Sequence, residues 1–183
     1  IVTCVNARNI ESLPLLYESL LEAGVRRWRL VGVFPMGRAR EVPEFQLSAA
    51  DYRRVMDFVI DVRSKGTMRV SYGCEGFLGE YEGKVRDGAY LCNAGRTTAS
   101  ILADGNISAC TSIRCRFYQG NIYQDDFWEV WETRFQQFRD REWAHKGSWS
   151  DCRMWRYCEG NGMHLHDEDG RLMVCHLERT GQL

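Results

Sequence analysis

Eight cysteines, Cys4, Cys74, Cys92, Cys110, Cys115, Cys152, Cys158 and Cys175, are spread along a chain of 183 residues. Thiols at that density pair as disulfides, hold a metal ion or hold an iron–sulfur cluster. Disulfide frameworks belong to small secreted domains short of a core, whereas here helical segments with apolar faces surround the cysteines. A zinc ribbon would use Cys-x-x-Cys pairs, and the sequence contains none. Cys110 at the end of a hairpin, Cys152-x5-Cys158 after a helix and Cys175 beyond a further gap are spaced for loops that converge. Such loops suit an iron–sulfur cluster, whose thiolates must surround a compact inorganic core. Cluster ligation is therefore the leading expectation. A zinc-type recognition module without catalysis and a disulfide-stapled secreted domain remain as alternatives.

The other polar candidates divide into site and scaffold. Cys4 lies on a strand and reads as a small buried hydrophobe. Cys74 follows a strand end, where barrel sites gather, and Cys115 reads equally as a ligand or a surface thiol. His164 and His166 alternate as on a strand, so one should face solvent. His176, beside Cys175, reads as a hydrogen-bond partner of a ligand. Glu75, Glu80 and Glu82 form an acidic loop, one of which could position a peptide.

Two kinds of framework would carry these residues. Residues 1–73 alternate strand and helix. Ile1–Val5 is an apolar run of strand length, Leu13, Leu16, Tyr17, Leu20 and Leu21 recur at helical spacing, and Gly24 stops that helix. Trp28–Phe34 is a second strand. Ser48-Ala-Ala-Asp51 opens a helix with Tyr52, Val55, Met56 and Val59 on one face. Gly66 closes it, and Met68–Tyr72 is a third strand. Short connections imply parallel pairing and right-handed crossovers. Because parallel sheets are covered on both faces, further strands before Ile1 are expected, and the chain reads as a fragment. Residues 74–91, rich in glycine, read as a linker. Thr98–Leu102, the turn Ala103-Asp-Gly-Asn106 and Ile107–Cys110 read as a hairpin. An aspartate at 125 or 126 caps a helix that buries Phe127, Trp131, Phe135 and Phe138.

Composition excludes several classes. A hydrophobic share of 44% supports a core. A net charge of −1 provides no electrostatic footprint for nucleic acid or anionic lipid. No apolar run approaches the roughly 20 residues that span a bilayer, and the start has no signal-peptide pattern. A cytoplasmic protein is expected.

Cys92-Asn-Ala-Gly95, Asp104-Gly-Asn-Ile-Ser-Ala-Cys110, Gln119-Gly-Asn-Ile122, Val130-Trp131 and Cys158-Glu-Gly-Asn-Gly-Met-His-Leu165 together resemble the SPASM domain of radical S-adenosylmethionine enzymes. The wording is most similar to a bacterial subfamily found in rSAM/lipoprotein systems. Phe34-Pro-Met-Gly-Arg-Ala39 looks like the sixth-strand region of the radical-SAM barrel, so the resemblance covers nearly the whole chain. It implies an α/β fold: the C-terminal part of a partial (β/α) barrel over residues 1–73, then a small α+β iron–sulfur domain with a β-hairpin over 92–183. It implies auxiliary [4Fe–4S] ligation by Cys92, Cys110, Cys152, Cys158 and Cys175, with Cys74 or Cys115 as substitutes. Trp149 and Gly162 stand where the family pattern has cysteines. S-adenosylmethionine would be the intact enzyme's cofactor, with Arg38 reaching its carboxylate or ribose unless it is a solvated loop residue. A peptide or lipoprotein precursor would be the substrate, and flavodoxin or ferredoxin the reductant. The Cys-x3-Cys-x2-Cys motif that cleaves S-adenosylmethionine is absent from these residues, so this segment alone is expected not to turn over.

Overall fold

The computed structural model describes residues 1–73, 76–113 and 117–183, which form a mixed α/β chain in two compact units. Cys74, Glu75 and Cys115 lie outside the described residues. The first unit comprises Ile1–Tyr90 together with Val174–Leu183, and the second Leu91–Met173. The stretch read as a linker falls largely within the first unit, and the last ten residues return to it.

In the first unit, strands β1 (Val2–Val5), β2 (Arg27–Gly32) and β3 (Arg69–Tyr72) pair in parallel in that order. Val2 lies opposite Arg29, and Leu30 opposite Tyr72. Helix α1 (Leu13–Glu22) and helix α2 (Ala49–Lys65) make the crossovers. The Ser48 side chain accepts the Asp51 N–H at the start of α2, and Gly66 ends it at φ 67°, a left-handed conformation in which glycine carries no Cβ penalty. Tyr52, Val55, Met56, Val59 and Val62 line one face of α2 and join Trp28, Leu30, Val70 and Tyr72 in one apolar core. These sheet residues point one way because strand side chains alternate. The other face presents Val2, Cys4, Arg27, Arg29 and Arg69, all exposed. Cys4 is therefore not the buried hydrophobe expected of it.

The loop after β3 is built on one ion pair. The Glu82 carboxylate accepts the N–H groups of Leu78 (2.8 Å) and Tyr90 (3.1 Å) and pairs with Arg86, whose guanidinium also reaches the Gly76 carbonyl at 2.5 Å. Glu82 is thus occupied in holding its own loop, while Glu80 is exposed. Helix α6 (His176–Thr180) lies on α2, with the His176 ring stacked on Tyr52 at 5.1 Å.

The second unit has little regular structure. Strands β4 (Ser100–Ile101), β5 (Asn106–Ser108) and β6 (Gly120–Asn121) pair antiparallel, and Gly105 turns the hairpin at φ 83°. Asp126 caps α3 (Phe127–Arg134) by accepting the Glu129 N–H at 2.9 Å. Short helices α4 (Gln136–Arg139) and α5 (Trp155–Cys158) follow. Val130, Phe135 and Phe138 are fully buried, with Phe138 packed against Phe117 and Phe135. Phe127 and Trp131 are only half-buried. No described helix is long and apolar enough to cross a membrane.

Candidate functional site

Cys92 opens the second unit and is 7% exposed. Burial pushes its thiol up, but the Arg141 guanidinium and the backbone N–H groups of Met163 and Ala94 outweigh this and hold it below its ordinary value. The sulfur therefore sits in a pocket that favours the anion, the form that binds metal.

Arg141 is itself 4% exposed. It donates to the carbonyls of Asn161 (2.9 Å), Phe138 (3.3 Å) and Cys92 (3.5 Å), so one side chain ties three segments together. Two further arginines continue the stitching. Arg96 pairs with the Glu159 carboxylate and donates to the carbonyls of Phe138 and Arg139, both at 3.3 Å. Arg139 donates to Gly95 (3.2 Å) and Trp131 (2.6 Å). Gly95, at φ 70°, abuts Phe138 so closely that an added Cβ would lie 2.4 Å from the phenylalanine Cβ.

The loop that supplies the Met163 N–H is conformationally unusual. Glu159, Gly160 and Asn161 follow one another at φ 46°, 73° and 71°. Left-handed backbone at non-glycine residues costs free energy unless its surroundings enforce it. Here the Arg96–Glu159 pair and the Arg141 bond to the Asn161 carbonyl supply that enforcement. His164 and His166 follow in and after a 3-10 turn rather than on a strand, and both are buried, contrary to the alternation expected. Burial lowers each to about 4, with Arg141 contributing at His166, so both rings are neutral near pH 7.

The remaining expected ligands occupy distinct places. Cys110 ends the hairpin, half-buried, with its sulfur 3.5 Å from the Ser112 N–H. The Cys152 N–H donates to the Trp149 carbonyl at 3.1 Å, and Cys158 is the last residue of α5. Cys175 lies in the first unit, at the start of α6. Arg38 is exposed in a 3-10 turn after β2. Among the described residues, no three Cys, His, Asp or Glu side chains gather as a metal site. Cys4, Cys92, Cys110 and Cys152 are free thiols. Arg141, which sequence reading overlooked, was marked by one signal. It lies three positions after Phe138, on the phase that buries Phe135 and Phe138.

Residues 92–159 match the SPASM family, described as an iron–sulfur cluster-binding domain. The matched span contains Cys92, Cys110, Cys115, Cys152 and Cys158, and Cys175 lies beyond it. Two curated relatives are both called AdoMet-dependent heme synthase. The one from Methanosarcina barkeri is 25% identical over 86% of this chain and 49% of its own length. The one from Nitratidesulfovibrio vulgaris is 24% identical over 94% of this chain and 51% of its own. The chain thus spans about half the length of the curated relatives it matches. No solved structure matches it significantly. Together the matches make this chain similar to radical-SAM/SPASM proteins, with the likeness to an iron–sulfur cluster-binding domain confined to residues 92–159.

Proposed function

We infer that this chain is the C-terminal portion of a radical S-adenosylmethionine enzyme, and that its residues 92–159 hold an auxiliary [4Fe–4S] cluster. The Cys92 pocket carries this reading: a buried thiol, inside the matched span, is surrounded by donors suited to an anion. The residues fit a cluster in their donor chemistry, since thiolates are its ligands. Cys92, Cys110, Cys152 and Cys158 would hold it, an assignment that rests on the matched pattern. Cys115, outside the described residues, remains a further candidate thiolate. When bound, the cluster supplies electron transfer. The protein's own contribution is a fixed frame. The 159–161 turn directs the Met163 N–H at Cys92, the buried aromatics exclude water, and the neutral His164 and His166 add no positive charge.

S-adenosylmethionine and a flavodoxin- or ferredoxin-type reductant belong to this reading for the intact protein, as does Arg38 as a contact to the nucleotide. A peptide or lipoprotein precursor is the substrate class that the rSAM/lipoprotein-type wording favours. The shared name of the two relatives favours a second reading, a haem precursor. The test is anaerobic purification of the chain followed by iron, sulfide and zinc analysis. Iron and acid-labile sulfide in near-equal amounts support the reading. Stoichiometric zinc without sulfide supports the recognition-module alternative instead.

A further inference from the structure

The helical side of the first unit carries a cleft. The 3-10 turn Ile10–Ser12 and the first residues of α1 meet α2 there, and between them lies a cavity of about 270 Å³. Its apolar lining is Ile10, Leu13, Pro14 and Phe58. Ile10 and Leu13 are 7% and 2% exposed and belong to the core, so the cleft opens onto the core's edge. Its polar lining is Glu11, Arg54 and Asp57, all exposed. A mostly apolar concavity with a few polar groups is the composition of a small-molecule site. An apolar cavity of about 150 Å³ holds benzene, so this one has room for a ring and a short side chain.

The charges around the cleft select the ligand. Arg54 is already committed: its guanidinium donates to both Glu11 carboxylate oxygens, at 2.8 and 3.0 Å, and to Asp51 at 3.2 Å. Asp57 makes no hydrogen bond or ion pair among the described residues. Arg53, one turn before it on α2, donates instead to the Arg179 carbonyl at 3.5 Å. Three carboxylates, those of Glu11, Asp51 and Asp57, thus stand against the one guanidinium of Arg54, a balance that disfavours anions and favours cations. An inorganic cation would leave the apolar lining unused. The geometry points to a binding site for a small organic cation, whose ring-sized apolar body covers Ile10, Leu13 and Phe58 and whose ammonium pairs with the Asp57 carboxylate. The site lies wholly within the first unit and does not rest on the iron–sulfur reading.

The experiment titrates the whole chain, labelled with nitrogen-15, with three probes of one size: benzylammonium, benzyl alcohol and benzoate. Amide shifts are followed by nuclear magnetic resonance at neutral pH and low salt, where exposed charges are least screened. Benzylammonium should give saturable shifts confined to residues 10–14 and 51–58, with a millimolar Kd, the range open to so small a ligand. It should bind roughly 2- to 5-fold tighter than benzyl alcohol, as an exposed ion pair allows, and benzoate should bind weakest. Asp57→Asn removes one exposed charge and should bring benzylammonium to the level of benzyl alcohol. Absence of saturable shifts at those residues overturns the proposal, as do shifts scattered over the chain. Benzyl alcohol or benzoate binding as tightly as benzylammonium also overturns it, and so does an undiminished preference in Asp57→Asn. Should Asp57→Asn not fold, the order of the three probes on the wild type decides by itself.

Discussion

The two units hold themselves together by different physical means. The first buries a continuous apolar layer: Leu30, Val70 and Trp28 on the sheet meet Val55, Met56 and Val59 on α2. The second has strands of two or three residues and helices of four to eight. Its aromatic centre around Phe138 is real, but its loops are fastened by arginine-to-carbonyl bonds and by a left-handed turn that three arginine-linked segments enforce. Short elements are individually weak. The comparison teaches that the second unit has placed its stability in polar ties and, on the proposed reading, in a bound cluster, as small metal domains do.

The sharpest contrast comes from core truncation. Phe138→Ala should cost roughly 3–5 kcal/mol and Leu30→Ala roughly 2–5 kcal/mol, since both side chains are fully buried. Only Phe138→Ala should also release iron, because the Phe138 side chain packs against Gly95, three residues from Cys92. Urea unfolding paired with iron analysis checks both halves. Similar iron loss in the two variants would dissolve the distinction between the units.

Chelation should separate the units next. A ligand present at a thousand times its Kd stabilises the state that binds it by about 4 kcal/mol. Removing the metal should therefore speed exchange of the slowest amides in 92–159 by up to about a thousandfold, leaving β1–β3 unchanged. Hydrogen-exchange mass spectrometry of loaded and chelated protein reads this directly, and uniform acceleration across both units would count against it.

Acid should then weaken the second unit of the metal-free protein. His164 and His166 are held at about 4 against an ordinary 6.5. Between those values the unfolded chain binds more protons than the folded one, so stability falls as pH drops from 6.5 toward 4 and is fully present above 6.5. Each ring contributes on the order of 3 kcal/mol over that window. Comparing urea midpoints at pH 7 and pH 5 tests it, with His166→Gln expected to flatten the dependence. A midpoint that does not move would show the rings are not buried neutral.

The smallest effects lie at helix starts. Ser48→Ala in α2 and Asp126→Ala in α3 each remove a side-chain acceptor from an N-cap and should cost about 1 kcal/mol. Thermal melts of the two variants would show whether the caps matter equally in the two units.

Local signals carried most of the first unit. Apolar runs of strand length, the Leu13–Leu21 spacing, the Ser48-x-x-Asp51 cap and Gly66 each act within a few residues, and the observed boundaries fall within two residues of the expected strands. Asp104-Gly105 marked the hairpin for the same reason. What remained hidden depends on contacts distant in sequence. The return of α6 onto α2, the capture of Glu82 by Arg86 and two backbone amides, and the burial of both His164 and His166 follow from tertiary packing that no short window contains. Of the candidate site, the cysteine positions were legible, whereas the Cys92 environment was not, because Arg141 and the Met163 N–H reach it from 49 and 71 positions along the chain.

The central claim is that the second unit binds iron and sulfide through Cys92. Its most direct test is iron and acid-labile sulfide per chain in anaerobically reconstituted wild type and Cys92→Ser. The account predicts near-equal iron and sulfide in the wild type and a clear loss of both in Cys92→Ser, while the first unit keeps its exchange protection. Undiminished iron and sulfide in Cys92→Ser, or zinc without sulfide in the wild type, would contradict it.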